Sequence, residues 1–154
     1  YLFFMSLLNN LTEELKTAMR AKDVLKLEAL RAIKSAILLA QTSSGAGADL
    51  SEDEEIKLLQ KLVKQRKDSA AIFKEQNRED LAAPEEAQAA VIAQFLPEQM
   101  SEAEVEKVIE RIIATSGADG MKDMGKVMGM ASKQLAGKAD GKTISNIVKS
   151  KLSV

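Results

Sequence analysis

Histidine and cysteine are both missing from these 154 residues. Without cysteine there is no disulfide framework, no thiol nucleophile and no thiolate metal site. Without histidine the commonest general base and the commonest transition-metal ligand are gone. Ser-His-Asp catalysis is excluded, and a zinc site would need carboxylates alone. Carboxylate pairs such as Glu13/Glu14 and Glu85/Glu86 fall at helix starts, where the helix dipole favours them, and none reads as an acid/base dyad. The sequence therefore assigns no catalytic residue, no metal ligand and no cofactor.

Tryptophan is also absent, aromatics make up 3% of the chain, and there are two prolines. The 45% apolar content is therefore Leu, Ile, Val, Met and Ala, which build helix seams rather than sheets. The expected fold class is all-α. No apolar run approaches the ~20 residues of a membrane span. The opening Tyr1-Leu-Phe-Phe-Met5 lacks the basic region and small-residue cleavage site of a signal peptide. Met5 reads as a natural start preceded by a four-residue remnant, and the expected location is cytoplasmic, with no membrane partner.

Charge is nearly balanced but unevenly spread. Residues 1–100 carry 13 Lys/Arg against 16 Asp/Glu, whereas residues 117–154 carry seven lysines against three aspartates. A modestly basic surface thus belongs to the end of an acidic chain.

Apolar spacing predicts seven helices. The first runs from about Ser6 to Lys22, with Leu8, Leu11, Leu15, Ala18 and Met19 inward. Asp23 caps the second, whose stripe is Leu27, Leu30, Ile33 and Ile37. Thr42–Asp49 reads as a flexible loop. Ser51-Glu-Asp-Glu54 is a capping box opening a long third helix, to about Asn77, that buries Leu59, Leu62, Val63, Ala70 and Phe73. Pro84 suits the first turn of the fourth, which carries Ala87, Val91, Ile92 and Phe95. A break at Leu96-Pro97 precedes a second capping box, Ser101-Glu-Ala-Glu104. The fifth helix has the clearest stripe: Val105, Val108, Ile109, Ile112 and Ile113. Gly117 closes it. Met124, Val127, Met128, Ala131 and Leu135 define the sixth, and Ile144, Ile147, Val148 and Leu152 the seventh. The expected organisation is an N-terminal four-helix domain, residues 5–97, followed by a small three-helix domain, residues 101–154.

The last third carries the most informative motifs. Asp123-Met-Gly-Lys126-Val-Met-Gly129 places glycines four apart in a helix, where each costs about 1 kcal/mol relative to alanine. Such a strip implies close approach, of a neighbouring helix or of a ligand backbone. Asp123 reads as an N-cap. In Gly137-Lys-Ala-Asp-Gly-Lys142, Gly137 is placed to end a helix in the left-handed region and Asp140 to cap the next. The Gly-Lys-Thr ending is no phosphate loop: position 136 is Ala, and a helix rather than a strand precedes it. The sharper reading sets Lys122, Gly125, Lys126, Gly129, Lys133, Lys138, Gly141 and Lys142 along an RNA backbone, with lysines as point charges. Base-specific recognition is not expected without stacking aromatics. Lys61, Lys64, Arg66, Lys67 and Lys74 make helix three locally basic, which reads as a solvated face.

These residues resemble the GatB/YqeY family, in its stand-alone form. The resemblance runs from Met5-Ser-Leu-Leu8 through Leu30-Arg-Ala-Ile-Lys-Ser-Ala36, Lys64-Gln-Arg-Lys-Asp-Ser69, Arg78-Glu-Asp-Leu81 and Phe95-Leu-Pro-Glu-Gln-Met100. It continues through Asp123-Met-Gly-Lys-Val-Met128 and Ala139-Asp-Gly-Lys142. It implies that residues 101–154 are similar to the tail domain of the GatB component of a glutamine-dependent Asp-tRNA/Glu-tRNA amidotransferase, a helical appendage that touches tRNA. The expected function is a tRNA-contacting accessory protein without its own catalytic centre, binding tRNA weakly and in a salt-dependent way. The alternatives are an adaptor for an amidotransferase or other translation protein, through Met121, Met124, Met128 and Met130, and a component with carbon–nitrogen ligase activity using glutamine as amido donor. A chain pI of about 5.7 is low for an autonomous nucleic-acid binder.

Overall fold

A computed structural model describes residues 7–43 and 49–153. Every regular element among them is helical, and the all-α expectation holds. The chain divides into two compact units, Tyr1–Leu96 and Pro97–Val154.

The first unit holds α1 (Leu7–Ala21), α2 (Val24–Ser43), α3 (Glu52–Glu75) and α4 (Glu79–Ala93). Its core joins Leu7, Leu11 and Ala18 to Leu30, Ile33 and Ile37 of α2, Leu59 and Val63 of α3, and Ile92 of α4. Burying each of the larger aliphatic side chains is worth about 1.5–3 kcal/mol. Asp23 caps α2 as its spacing suggests, its Oδ1 accepting from the Lys26 N–H at 3.1 Å. At Ser51 both bonds of the capping box form: the Glu54 N–H donates to Ser51 Oγ at 3.2 Å and the Ser51 N–H to Glu54 Oε2 at 2.8 Å. The backbone turns sharply at Lys22 (φ 55) and Asn77 (φ 58), both in the left-handed region that asparagine tolerates better than lysine.

Two expectations are corrected here. Met19 lies 58% exposed rather than inward, because the α1 stripe runs through Leu7, Leu11, Leu15 and Ala18 and turns Met19 away from the core. Helix α3 stops at Glu75 and α4 starts at Glu79, five residues ahead of Pro84. Fully buried Ala82 rewards helix in that segment, Glu79 and Asp80 suit its first turn, and Arg78 grips Asp80 with two bonds at 3.0 and 2.9 Å. Pro84 removes only one backbone hydrogen bond near the start. Ser6 and the glycine-containing part of the Thr42–Asp49 segment, 44–48, lie outside the described residues.

The second unit holds α5 (Glu102–Ser116), a single 3₁₀ turn (Met121–Asp123), α6 (Met124–Gln134) and α7 (Gly141–Leu152). Val105, Ile109 and Ile112 pack with Val127, Ala131 and Leu135 and with Ile144, Val148 and Leu152, the stripes that helical spacing marks out. The Ser101 capping box forms, with both bonds at 3.2 Å. Gly117 caps α5 at φ 69, as helix-ending glycines do; Gly137 is also left-handed, at φ 76, but lies two residues past Leu135, the C-cap of α6. Asp140 Oδ1 accepts from the Thr143 N–H at 2.6 Å.

Lys151 of α7 reaches two carboxylates of α5, Glu106 at 2.5 Å and Glu110 at 2.7 Å. Hydrogen bonds to Glu106 and then Glu110 push its pKa up to about 12. A cation whose folded pKa exceeds its unfolded value of about 10.4 contributes stability below that value and loses it on going up through the folded one. Alkaline titration followed by circular dichroism is therefore expected to show stability falling between about pH 10.4 and 12. Lys151→Met is expected to remove that portion of the pH dependence, and an unchanged profile would refute the clamp.

Candidate nucleic-acid interface

Helix α6 has two unlike faces. Val127, Ala131 and Leu135 are buried, and Met124, Met128 and Met130 pack partly buried beside them. Opposite lie Gly125, Lys126, Gly129, Ser132 and Lys133, all exposed, with Lys122 exposed in the preceding 3₁₀ turn. A Cβ built at Gly125 or Gly129 meets nothing within 4 Å. Among the described residues of this unit no helix crosses there, so the expectation of close helix packing is corrected.

Not every lysine is available. Lys126 Nζ donates to the Ser116 carbonyl at 3.0 Å, placing a cation on the last residue of α5, where the helix dipole welcomes it. Lys122 lies 4.0 Å from Asp119, a surface pair of small energy. Lys151 is held by its two glutamates. Lys133, Lys138, Lys142 and Lys149 are exposed and have no acidic partner within 4.0 Å among the described residues. Lys149 is absent from the sequence-based set, and its only signal there was the lysine count.

Asp123 does not cap α6. Its Oδ2 accepts from the Asp119 N–H at 2.7 Å instead, closing the turn that leads into the 3₁₀ segment.

The turn between α6 and α7 is firmly held. Gly137 is buried, and its carbonyl accepts from Gln99 Nε2 at 2.6 Å. The Lys138 carbonyl accepts from the Met100 N–H at 2.9 Å. Lys138, Gly141 and Lys142 therefore project from a backbone anchored to residues 97–100. The structure brings Lys122, Gly125, Lys126, Gly129 and Lys133 onto one face, and gathers Lys138, Gly141 and Lys142 at one turn. Gly141 likewise has open space around a Cβ position.

The adaptor reading loses its stated basis. Met124, Met128 and Met130 pack against the core, and of the four methionines only Met121, at 44%, is well exposed. Three of the five residues in the basic run of α3 are engaged: Arg66 donates to Gln88 at 3.3 Å, Lys64 pairs with Asp68 at 2.8 Å, and Lys74 pairs with Glu86.

These features define a small all-helical protein whose second unit presents a glycine-and-lysine face. The family model described as Yqey-like protein matches residues 8–152, and the chain belongs to that family. Among curated proteins it is 34% identical, over 80% of its length, to altered inheritance of mitochondria protein 41, mitochondrial, of Meyerozyma guilliermondii. It is 36% identical, over 70% of its length, to the protein of that name in Clavispora lusitaniae. The chain spans 65% and 61% of those two proteins, a little under two thirds. It is also 33% identical, over 65% of its length, to 17% of the E-type component of glutamyl-tRNA(Gln) amidotransferase of Thermococcus gammatolerans.

The cytoplasmic expectation is overturned by the fungal relatives, which are named as mitochondrial proteins. It rested on the lack of a signal peptide and of long apolar runs. No helix among the described residues is long and apolar enough to cross a membrane, and that bears on membrane insertion, not on compartment.

Proposed function

We propose that this protein is a tRNA-contacting accessory protein without a catalytic centre of its own, with residues 5–97 and 101–154 as its two domains. In this reading the contact surface is the α6 face with the α6–α7 turn: Lys122, Gly125, Gly129, Lys133, Lys138, Gly141 and Lys142, with Lys126 acting partly through the end of α5. The observation that carries it is that Gly125 and Gly129 face open space on an exposed helix, which leaves room for a phosphate backbone to come close. Lys133 on the same face, with Lys138 and Lys142 at the following turn, supplies charge for phosphates. The likeness to part of an amidotransferase component named for glutamyl-tRNA(Gln) points to tRNA as the nucleic acid.

Titration of total tRNA at low salt tests this, with duplex DNA as the comparison. Measurable tRNA binding that weakens as salt rises is expected; none at low salt would dispose of the reading. Lys133→Glu, Lys138→Glu and Lys142→Glu together are expected to cut affinity at least about tenfold. They should also flatten the log–log salt dependence by about 1 per lysine. Lys126 is left alone in this variant because of its bond to α5. Undiminished binding by the triple variant would move the contact surface elsewhere.

A second reading, an adaptor for an amidotransferase or other translation protein, is favoured by a different feature. Helices α3 and α4 border a groove of about 500 Å³ lined by Ala70, Ala71, Ala89, Ala90 and Ala93, with Lys67 and the Lys74–Glu86 pair also on its walls. Short side chains there let another helix approach closely. A protein complex that survives nuclease treatment and is lost on Ala71→Arg would favour this reading over the first.

A further inference from the structure

The chain contains the tripeptide Ala-Asp-Gly twice, at residues 118–120 and 139–141. An aspartate followed by glycine is prone to cyclise, since glycine offers no side chain to hinder attack. The glycine N–H nitrogen adds to the aspartate Cγ, a new N–C bond forms, and the carboxyl oxygen leaves as water. Hydrolysis of the resulting succinimide at the other carbonyl then yields isoaspartate, which carries the chain through the side-chain carbon. No oxidant or cofactor is needed.

Identical neighbours give the two aspartates similar intrinsic reactivity, so the fold decides between them. Asp140 is tied down: its Oδ1 accepts from the Thr143 N–H at 2.6 Å, and Gly141 is the first residue of α7. Ring closure there breaks the cap and disturbs the start of the helix. Asp119 is held only through its own N–H, which donates to Asp123 Oδ2, and its carboxylate accepts no hydrogen bond among the described residues. It lies outside any helix with its side chain 92% exposed, and its nearest cation, Lys122, is 4.0 Å away. Gly120, at φ 81, has nothing within 4 Å of a Cβ position. Its N–H, the attacking group, has no hydrogen-bond partner among the described residues.

We propose that Asp119 is a site of spontaneous isoaspartate formation, from which its twin Asp140 is protected by the bond that caps α7. The altered linkage adds a methylene to the backbone inside the turn closed by Asp119 N–H and Asp123 Oδ2. That turn sets the position of Lys122 and the start of α6. Any effect on RNA contact rests on the reading above, but the isomerisation is measured with no RNA present, so the two fail separately.

The test is to age the folded chain at neutral pH in heavy-oxygen water. Peptides are then assayed for enzymatic methylation of isoaspartyl carboxyls and for the heavy oxygen left by succinimide hydrolysis. The peptide holding Asp119 is expected to convert about fivefold faster than that holding Asp140, the factor to which a typical side-chain cap corresponds. In urea, where the cap is gone, the two rates are expected to converge. Equal rates in the folded chain, a persisting difference in urea, or no isoaspartate at residue 119 would each overturn the proposal.

Discussion

Ile109→Ala is expected to destabilise the second unit by about 3–4 kcal/mol, within the range for removing a buried isoleucine side chain down to its Cβ. Ile109 is fully buried, in one cluster with Val127 and Ala131 of α6 and Ile144 and Val148 of α7. The three helices are short, and a neighbourhood built on helix backbones cannot collapse freely around the missing atoms. A unit of this size has a total stability of only about 0.05–0.15 kcal/mol per residue. The loss is therefore comparable to the whole. Hydrogen exchange of the α5, α6 and α7 amides reads it out, with protection expected to fall steeply across all three helices together. Ile109→Val, which leaves a smaller void, is expected to cost about 0.5–1.5 kcal/mol. If the alanine variant cost no more than the valine one, Ile109 would not be the keystone of this core.

That isoleucine was legible in the sequence because helical periodicity is a local property. Val105, Ile109 and Ile112 recur at three- and four-residue steps, and a helix must turn them to one side. The caps at Asp23, Ser51, Ser101 and Asp140 were legible for the same reason, each bond spanning three residues. The start of α4 was not. Pro84 is a strong local marker, yet burial of Ala82 and the Arg78–Asp80 fork outweigh it, and both depend on neighbours the local pattern does not contain. Asp123 looked like a cap but spends its carboxylate on Asp119, four residues back.

The candidate interface was legible by residue type and illegible by availability. Sequence alone selects Lys122, Lys126, Lys133, Lys138 and Lys142 of the seven lysines in residues 117–154 and gives no way to rank them by availability. The structure separates them through partners that lie far off in the chain: Ser116 for Lys126, and Glu106 with Glu110 for Lys151. Such pairings arise only when α5, α6 and α7 pack, so no spacing rule within one helix exposes them. The glycines are the reverse case. Their cost was plain in the sequence, but whether a helix or open space faced them required the fold.

Those glycines give the sharpest test, because stability and contact should move in opposite directions. Gly129 sits in the interior of α6, exposed and unhindered. Gly129→Ala is expected to stabilise the protein by about 0.5–1 kcal/mol, by restricting the unfolded chain and favouring helix. Gly125→Ala should give less, being in the first turn, where the first backbone N–H groups lack helical partners. Were helix packing the reason for glycine, the same changes would destabilise. If instead a phosphate backbone approaches this strip, side chains there must push it away. Gly125→Leu with Gly129→Leu is then expected to weaken tRNA binding more than about tenfold, a loss of at least about 1.4 kcal/mol, while leaving the fold intact. Charge is untouched in this pair, so the salt dependence should stay close to that of the parent, unlike that of the lysine variants. A stabilised protein that still bound tRNA at full strength would show that nothing approaches α6 closely, and the contact would have to be sought around Lys138 and Lys142 alone.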